Sequence, residues 1–167
     1  MSRHVVILGP MGAGKTTLGR DLAEATGRAL YDSDDSIQHR VGRTGRQIAD
    51  TDGVAALHNL EREVFFDAIG ATEPSVVAAA ASVIDDPEAR LLLGTTFCVL
   101  LTASPRVLEE RLASSDHRRA VSSGERDRIA GRDRLFRAAA DLMIDTGAIS
   151  RQDAVARVIA GMEGESR

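Results

Sequence analysis

The chain has 167 residues, a length that favours one domain over two and is enough to bury a sizeable core. A formal net charge of −4, 3% aromatic residues and no tryptophan argue against a nucleic-acid partner, which needs a basic face and stacking platforms. No apolar run reaches the length of a membrane span, no signal-peptide pattern is present, and the single cysteine, Cys98, lies in an apolar run, as a buried thiol would. We therefore expect a cytoplasmic protein with no membrane partner, present as a monomer or at most a weak dimer.

A glycine-rich stretch at 9–16 (G-P-M-G-A-G-K-T) follows an apolar strand predicted over 4–8 and precedes a helix predicted over 15–27. Its spacing, G-x-x-x-x-G-K-[ST], is that of the phosphate-binding P-loop. The glycines let consecutive N–H groups point at a phosphate, and the positive end of the helix adds to the attraction. Lys15, the only lysine of the chain, is expected to reach the outer phosphates, and the Thr16 hydroxyl to bind Mg²⁺. A glycine turn without a ligand is the alternative.

The segment that follows predicts a second strand over 29–32, ending in Asp-Ser-Asp-Asp, and helices near 35–41, 44–50 and 54–70. The small apolar run over 75–83 predicts a buried parallel strand, and a short helix should follow up to about residue 94.

The last part of the chain predicts a strand over 95–102, a helix to about 113, a polar and basic lid over 114–124 and a charged helix to about 140. A strand over 142–145 and a helix over 150–162 follow. Five strands alternating with helices predict an α/β fold in which a parallel sheet is covered on both faces. Ligands of such sheets collect at the carboxyl ends of the strands, where 9–16, 32–34 and 79–82 would lie.

From about Val5 to Ile159 the chain resembles the shikimate kinases. The motifs that carry the resemblance are G-P-M-G-A-G-K-T-T-L-G-R-x-L-A (9–23), D-x-D (32–34), I-x-x-x-x-G-R-T (37–44), x-I-A-x-x-x-G (47–53), L-E-R-E (60–63), R-x-R-L-F (132–136) and D-T (145–146). The resemblance implies a single three-layer P-loop kinase domain over 1–167, with a five-stranded parallel sheet of order 2-3-1-4-5. It also implies an acceptor-binding region near 33–62 and a lid near 114–124.

For the nucleotide, the resemblance implies ATP and Mg²⁺ held largely by the phosphate loop. The matching positions of that loop are Gly12, Ala13, Gly14, Lys15, Thr16 and Thr17. Asp32 matches a carboxylate that holds Mg²⁺ through water, Arg111 an arginine that stacks on adenine, and Arg119 a lid arginine with a catalytic role. The alternatives are a helix cap for Asp32 and solvated charges for the two arginines.

For the acceptor, the resemblance implies that Asp34 orients the hydroxyl and accepts its proton, and that Arg132 grips a carboxylate. A helix cap and a surface charge are the respective alternatives. The chain departs from the family pattern at His58, where a second carboxylate-binding arginine is expected, and at Ala79, Ala80 and Ala81, where the family has glycines. His58 is either a substrate contact or a packing residue, and the alanines either narrow the pocket or pack within the strand.

The function expected is transfer of the γ-phosphate of Mg·ATP to an alcohol group of a small metabolite. The acceptor is shikimate or, given the departures at His58 and the alanines, a different hydroxylated compound. A nucleotide-binding regulatory or interaction protein that has lost catalysis is the alternative from another class.

Overall fold

A computed structural model describes residues 3–113 and 123–164 of the chain. Its strands are β1 (Val5–Leu8), β2 (Leu30–Asp32), β3 (Val76–Ala78), β4 (Phe97–Thr102) and β5 (Leu142–Asp145). Its α-helices are α1 (Lys15–Thr26), α2 (Ser33–Val41), α3 (Gly45–Thr51), α4 (Val54–Ile69), α5 (Pro87–Leu93), α6 (Pro105–Ala113), α7 (Ser123–Ala139) and α8 (Arg151–Gly164). A 3₁₀ helix, Ala81–Asp85, lies between β3 and α5.

The five strands form one parallel sheet in the order β2-β3-β1-β4-β5, which confirms the predicted fold class. Ile7 of the central strand β1 pairs with Ala78 on one side and with Val99 on the other. Because all strands are parallel, their carboxyl ends meet at one edge. The P-loop after β1, Asp32 at the end of β2 and the alanines after β3 therefore come together at that edge.

Alternation along the strands builds one apolar layer on each face of the sheet. Val5 and Ile7 of β1 pack with α1 and α8, whereas Val6 and Leu8 pack with residues of α4, α5 and α7. All four are fully buried, as expected for a central parallel strand covered on both faces. Cys98 of β4 is buried in the second layer, and burial raises the pKa of its thiol to about 11, so the predicted buried thiol is confirmed.

A smaller apolar cluster holds α2, α3 and α4 together beside the sheet. Its buried members are Ile37, Ile48, Leu57 and Val64. The helices begin at identifiable caps: the Asp32 side chain accepts from the N–H groups of Asp34 and Asp35, and Thr44 forms a capping box with Gln47. This cluster packs the helices of the predicted acceptor region against one another.

The prediction of a strand over 75–83 is wrong beyond Ala78. The Ala79 N–H donates to Ile7 O (3.1 Å), but the Ala80 N–H donates to the Ser33 side chain (3.0 Å) rather than to a strand. Both neighbouring strands have ended there, so the apolar run has no backbone partner and turns into the 3₁₀ helix. The other predicted elements agree with the structure to within two residues at each end.

The predicted lid over 114–124 lies mostly outside the described residues, which resume at Ser123 as the first residue of α7. Within the described ranges, every helix is too short or too polar to cross a membrane.

Candidate active site

The P-loop leaves β1 through three glycines with positive φ, at Gly9 (143°), Gly12 (83°) and Gly14 (100°). A Cβ atom at Gly9 would lie 2.5 Å from the carbonyl oxygen of Leu101, so the neighbouring strand excludes any side chain there. Gly14 precedes the first residue of α1 in the left-handed conformation, which suits glycine. The glycines therefore give the loop the tightly curled backbone that the P-loop motif predicts.

Lys15 folds back on this loop. Its Nζ donates to the carbonyl oxygens of Gly9 (2.9 Å) and Pro10 (3.0 Å). Burial lowers the pKa of Lys15 from 10.5 to about 8, although the nearby carboxylates of Asp34 and Asp32 act in the opposite direction. An anionic phosphate at the loop would add to the counter-charge that these carboxylates supply to the ammonium.

Thr16 and Asp32 bring two oxygen groups together at the mouth of the loop. The Thr16 hydroxyl donates to Asp32 Oδ2 at 2.6 Å, while Asp32 Oδ1 accepts from the Asp34 N–H at 2.9 Å. Asp32 thus caps α2, which was the alternative to a metal-binding role, and it also contacts Thr16 of the P-loop. Within the described residues there is no group of three or more His, Cys, Asp and Glu side chains that could hold a metal. A hydroxyl and a carboxylate suit Mg²⁺, which takes few protein ligands when phosphates supply the others.

A first cleft, of about 90 Å³, opens beside the P-loop, and we call it the acceptor cleft. Its lining residues are Met11, Lys15, Thr16, Asp32, Ser33, Asp34, Glu61, Ala78, Ala79, Ala80 and Ala81. The structure therefore brings Asp34 and the three predicted alanines to the same space as Lys15. Along the described chain every residue with a positive φ is a glycine, so the alanines keep an ordinary backbone. Ala79 is buried in one apolar layer of the core, and Ala80 and Ala81 pack against that layer.

Arg132 and His58 are placed differently from these residues. Arg132 of α7 is 7% exposed, which excludes a surface charge, and it binds Asp85 through Nε (3.0 and 3.1 Å) and Nη2 (2.6 Å). His58 is half-buried on α4, one turn before Glu61. Neither Arg132 nor His58 is among the residues that line the acceptor cleft.

Two acidic residues of this region were missed in the sequence analysis. Glu61 lines the cleft and accepts a hydrogen bond from the Ser82 hydroxyl. Its only signal was its place in the L-E-R-E motif. Asp85 follows an apolar run whose pattern predicts a strand, and no sequence signal indicates its pairing with Arg132.

A second cleft, of about 270 Å³, lies on the other side of the P-loop between α1, α6 and α8, and we call it the nucleotide cleft. Ala13, Gly14, Thr17 and Arg111 line it, as does the additional residue Thr146. The Arg111 guanidinium donates to the Thr146 hydroxyl (2.9 Å), and that hydroxyl lies 3.0 Å from Ala13 O, to which it donates.

Arg111 is therefore not the solvated helix charge of its alternative reading. Its Nη1 also donates to Gly12 O and Ala13 O, both at 3.3 Å. Arg119, the predicted lid arginine, lies outside the described residues.

The chain matches the family described as shikimate kinase over residues 11–163, which include every residue that lines the two clefts. The shikimate kinase of Methylococcus capsulatus is 34% identical over 167 residues, covering 96% of this chain and 93% of the relative. That of Rhodococcus erythropolis is 30% identical over 168 residues, covering 98% and 99%. A solved structure of the Acinetobacter baumannii shikimate kinase in complex with shikimate aligns with a TM-score of 0.87 at 27% identity, covering 98% of this chain and 94% of that one.

Proposed function

Because this chain belongs to the shikimate kinase family, we propose that it transfers the γ-phosphoryl group of Mg·ATP to a hydroxyl of a small polyhydroxylated compound in the acceptor cleft. The observation that carries the proposal is that Lys15 and Thr16 of the phosphate loop line the same cleft as Asp34. A donor phosphate and an acceptor hydroxyl would thus meet at one place. The catalytically inactive alternative has no support, since the matching relatives are kinases.

The nucleotide would lie across the P-loop. Its base would enter the nucleotide cleft against Arg111, and its phosphates would meet the N–H groups of the loop and the ammonium of Lys15. The Thr16 hydroxyl and, through water, Asp32 would hold Mg²⁺, which supplies neutralisation of the phosphate charge. These assignments rest on the contacts around the loop and on the family resemblance.

On the acceptor side, Asp34 is the residue proposed to orient the attacking hydroxyl and accept its proton. It lies in the first turn of α2, held by the hydrogen bond from its N–H to Asp32. Phosphoryl transfer proceeds through a loose transition state, so positioning and charge stabilisation supply most of the catalysis. Lys15 and the predicted lid residue Arg119 would stabilise the charge on the transferring group.

Shikimate is the first acceptor to consider, because the Acinetobacter baumannii relative is a complex with shikimate. A different small hydroxylated acceptor is the second candidate. It is favoured by the imidazole of His58 and by alanines at the wall of the cleft, where the family has glycines.

The test is ADP release coupled to NADH oxidation, with Mg·ATP and a panel of shikimate, quinate, neutral cyclitols and amino-cyclitols, and with phosphorylated product identified by mass spectrometry. We expect acceptor-dependent ADP release that Lys15→Ala abolishes while the variant remains folded. Binding of Mg·ATP without phosphorylation of any acceptor would contradict the proposal. A monomeric state, the absence of a nucleic-acid partner and a cytoplasmic location stay predictions.

A further inference from the structure

Arg132 is a buried cation close to the acceptor cleft. It is 7% exposed and lies on α7, which packs against the 3₁₀ helix. That helix begins with Ala81 at the wall of the cleft and ends at Asp85. Burial is the main cause of the lowered pKa of Lys15, and the positive charge of Arg132 contributes in the same direction. The charge of Arg132 therefore acts on the cleft that Lys15 lines.

Asp85 binds one edge of the Arg132 guanidinium. Nε donates to both carboxylate oxygens (3.1 and 3.0 Å), and Nη2 donates to Oδ2 (2.6 Å). Nε and Nη2 form the side-on edge of this planar group, and the end-on edge, formed by Nη1 and the other N–H of Nη2, carries a second pair of donors. One guanidinium can therefore bind two carboxylates at once, one at each edge.

The end-on edge of Arg132 reaches accessible space. Within the described part of the chain, the hydrogen bonds of this side chain are the three to Asp85, so Nη1 has no acceptor there. Every fully buried side-chain nitrogen or oxygen of the same residues does have a partner. Nη1 is therefore not fully buried. A fork of parallel N–H groups that is mostly shielded from water suits a planar anion such as a carboxylate.

Asp85 is itself held in place by contacts of its backbone. Arg90 donates to the carbonyl oxygens of Ile84 (2.8 Å) and Asp85 (3.0 Å), and the next residue, Asp86, caps α5. The Asp85 carboxylate can thus fix the orientation of the guanidinium before a ligand arrives. A ligand then gains the contact without the entropy cost of ordering an arginine side chain.

We propose that Asp85 is a positioning residue: by binding the side-on edge of Arg132, it holds the end-on edge where a carboxylate of the acceptor binds. The inference rests on the proposed function, in which shikimate, a carboxylic acid, is the first acceptor to consider. Asp85 acts through Arg132 and does not itself line the acceptor cleft. Its effect should therefore depend on the carboxylate of the ligand and on the guanidinium, and not on the nucleotide.

The experiment compares shikimate with its primary amide, which keeps the ring hydroxyls and lacks the negative charge. For the full chain, kcat and KM are measured with Mg·ATP, and affinity is measured by calorimetry with a non-hydrolysable ATP analogue. The variants are Asp85→Asn, which removes the charge that holds the guanidinium, and Asp85→Glu, which keeps the ion pair but displaces it. Asp86→Asn is the matched control, since this neighbouring carboxylate caps α5 and pairs with Arg62 instead.

The parent chain should prefer shikimate to the amide by about tenfold or more in kcat/KM. Asp85→Asn should reduce this preference by about fivefold or more through a higher KM for shikimate, while the KM for ATP and both constants for the amide stay within about twofold. Asp85→Glu should reduce it less, and Asp86→Asn should leave it unchanged. Thermal unfolding shows whether each variant is folded, and a general loss of folding would lower kcat for both compounds alike.

Arg132→Lys tests whether Asp85 acts through the guanidinium. A lysine has no fork, so this variant should lose the preference for shikimate. Adding Asp85→Asn to Arg132→Lys should then change the remaining preference by less than about twofold, whereas independent roles would give the full effect of Asp85→Asn again.

An unchanged preference in folded Asp85→Asn would overturn the inference, and so would an increased one, which would show that Asp85 competes with the ligand. Equal use of the two compounds by the parent, or binding of neither, would overturn it as well. Preferential binding of shikimate that Asp85→Asn weakens, without phosphorylation, would support the inference and contradict the proposed function. Phosphorylation of shikimate with an unchanged preference would support the proposed function and overturn the inference, so the two failures are distinguishable.

Discussion

Lys15 carries the charge that the proposed reaction needs, and it does so in an environment that disfavours that charge. Its ammonium is bound by the carbonyl oxygens of Gly9 and Pro10, and burial lowers its pKa from 10.5 to about 8. The folded chain without nucleotide therefore holds a destabilised cation. Binding of phosphate relieves this conflict, which links the stability of the fold to its ligand.

Lys15→Met should abolish phosphoryl transfer and stabilise the nucleotide-free chain. The difference between 10.5 and about 8 corresponds to about 3 kcal/mol, and loss of the two hydrogen bonds offsets part of it. We expect the free energy of unfolding at pH 7 to rise by about 1–3 kcal/mol in urea titrations.

The pH dependence of this difference provides the control. The unfolded chain binds more protons than the folded one between about pH 8 and pH 10.5, so the parent gains stability relative to Lys15→Met as pH rises through that window. If the parent chain were more stable than Lys15→Met at pH 7, burial of the Lys15 ammonium would not destabilise the nucleotide-free fold.

Nucleotide affinity should fall as Lys15 loses its proton. With a pKa of about 8, the Kd for Mg·ATP should increase about tenfold between pH 7 and pH 9, a range above the titration of the phosphate itself. Calorimetry in buffers of different ionisation enthalpy should show proton uptake on binding at pH 8.

Lys15→Arg is the matched control for this titration. An arginine keeps its charge throughout the range, so its Kd, although higher, should not change with pH. An equally steep pH dependence in Lys15→Arg would assign the titration to another group.

Among the elements, α8 packs against the sheet at Gly161. A Cβ atom at this position would lie 2.8 Å from Cζ of Phe97, a buried residue of β4. Gly131, in the middle of α7, has no atom within 4 Å of a Cβ placed there. A side chain would therefore clash at position 161, whereas position 131 has room for one.

Gly161→Ala should destabilise the chain by about 1–2 kcal/mol, since overpacking against Phe97 outweighs the gain in helix propensity. Gly131→Ala should stabilise it by up to about 1 kcal/mol, because only the propensity changes. Thermal and urea unfolding of both variants measures the difference, and a Gly161→Ala chain as stable as the parent or more stable would show that α8 and β4 are not in tight contact.

How well an element could be predicted depends on whether nearby or distant residues set its ends. The N-caps of α2 and α3 are Asp32 and Thr44, whose capping is decided within three residues, so the sequence pattern located both helices to within two residues. The end of β3 was misplaced because it is set by its neighbours. The apolar run continues beyond Ala79, but β2 ends at Asp32 and β1 at Leu8, and a strand without a partner cannot continue.

At the scale of the whole molecule, the nucleotide cleft is held together by contacts between three segments that lie far apart in the sequence. The Thr146 hydroxyl donates to Ala13 O in the P-loop, 133 positions away, and accepts from Arg111 of α6. Arg111 also donates to Thr146 O (3.2 Å). One hydroxyl thus joins the P-loop, α6 and the connection from β5 to α8.

Thr146→Val, which keeps the shape and removes the hydroxyl, should raise the Kd for Mg·ATP by about 5–20-fold, because Arg111 and the P-loop lose their common partner. The KM for the acceptor should stay within about twofold, since Thr146 does not line the acceptor cleft. Thr95→Val is the matched control, as the exposed Thr95 hydroxyl donates to Leu92 O at a turn away from both clefts. An unchanged Kd in Thr146→Val would exclude this role.

The sequence by itself determined the donor side of this protein: the spacing of Gly9, Gly14, Lys15 and Thr16, followed by Asp32 and Asp34, is local and carries its chemistry in the order of residues. It also determined the parallel sheet, because strand and helix alternation leaves few topologies. Only the tertiary structure decided the acceptor side. Arg132 and Asp85 are 47 positions apart, and which edge of that guanidinium is held by a carboxylate and which is offered to a ligand depends on how the 3₁₀ helix packs against α7. Charge pairing is a property of positions in space, and no spacing along the chain records it.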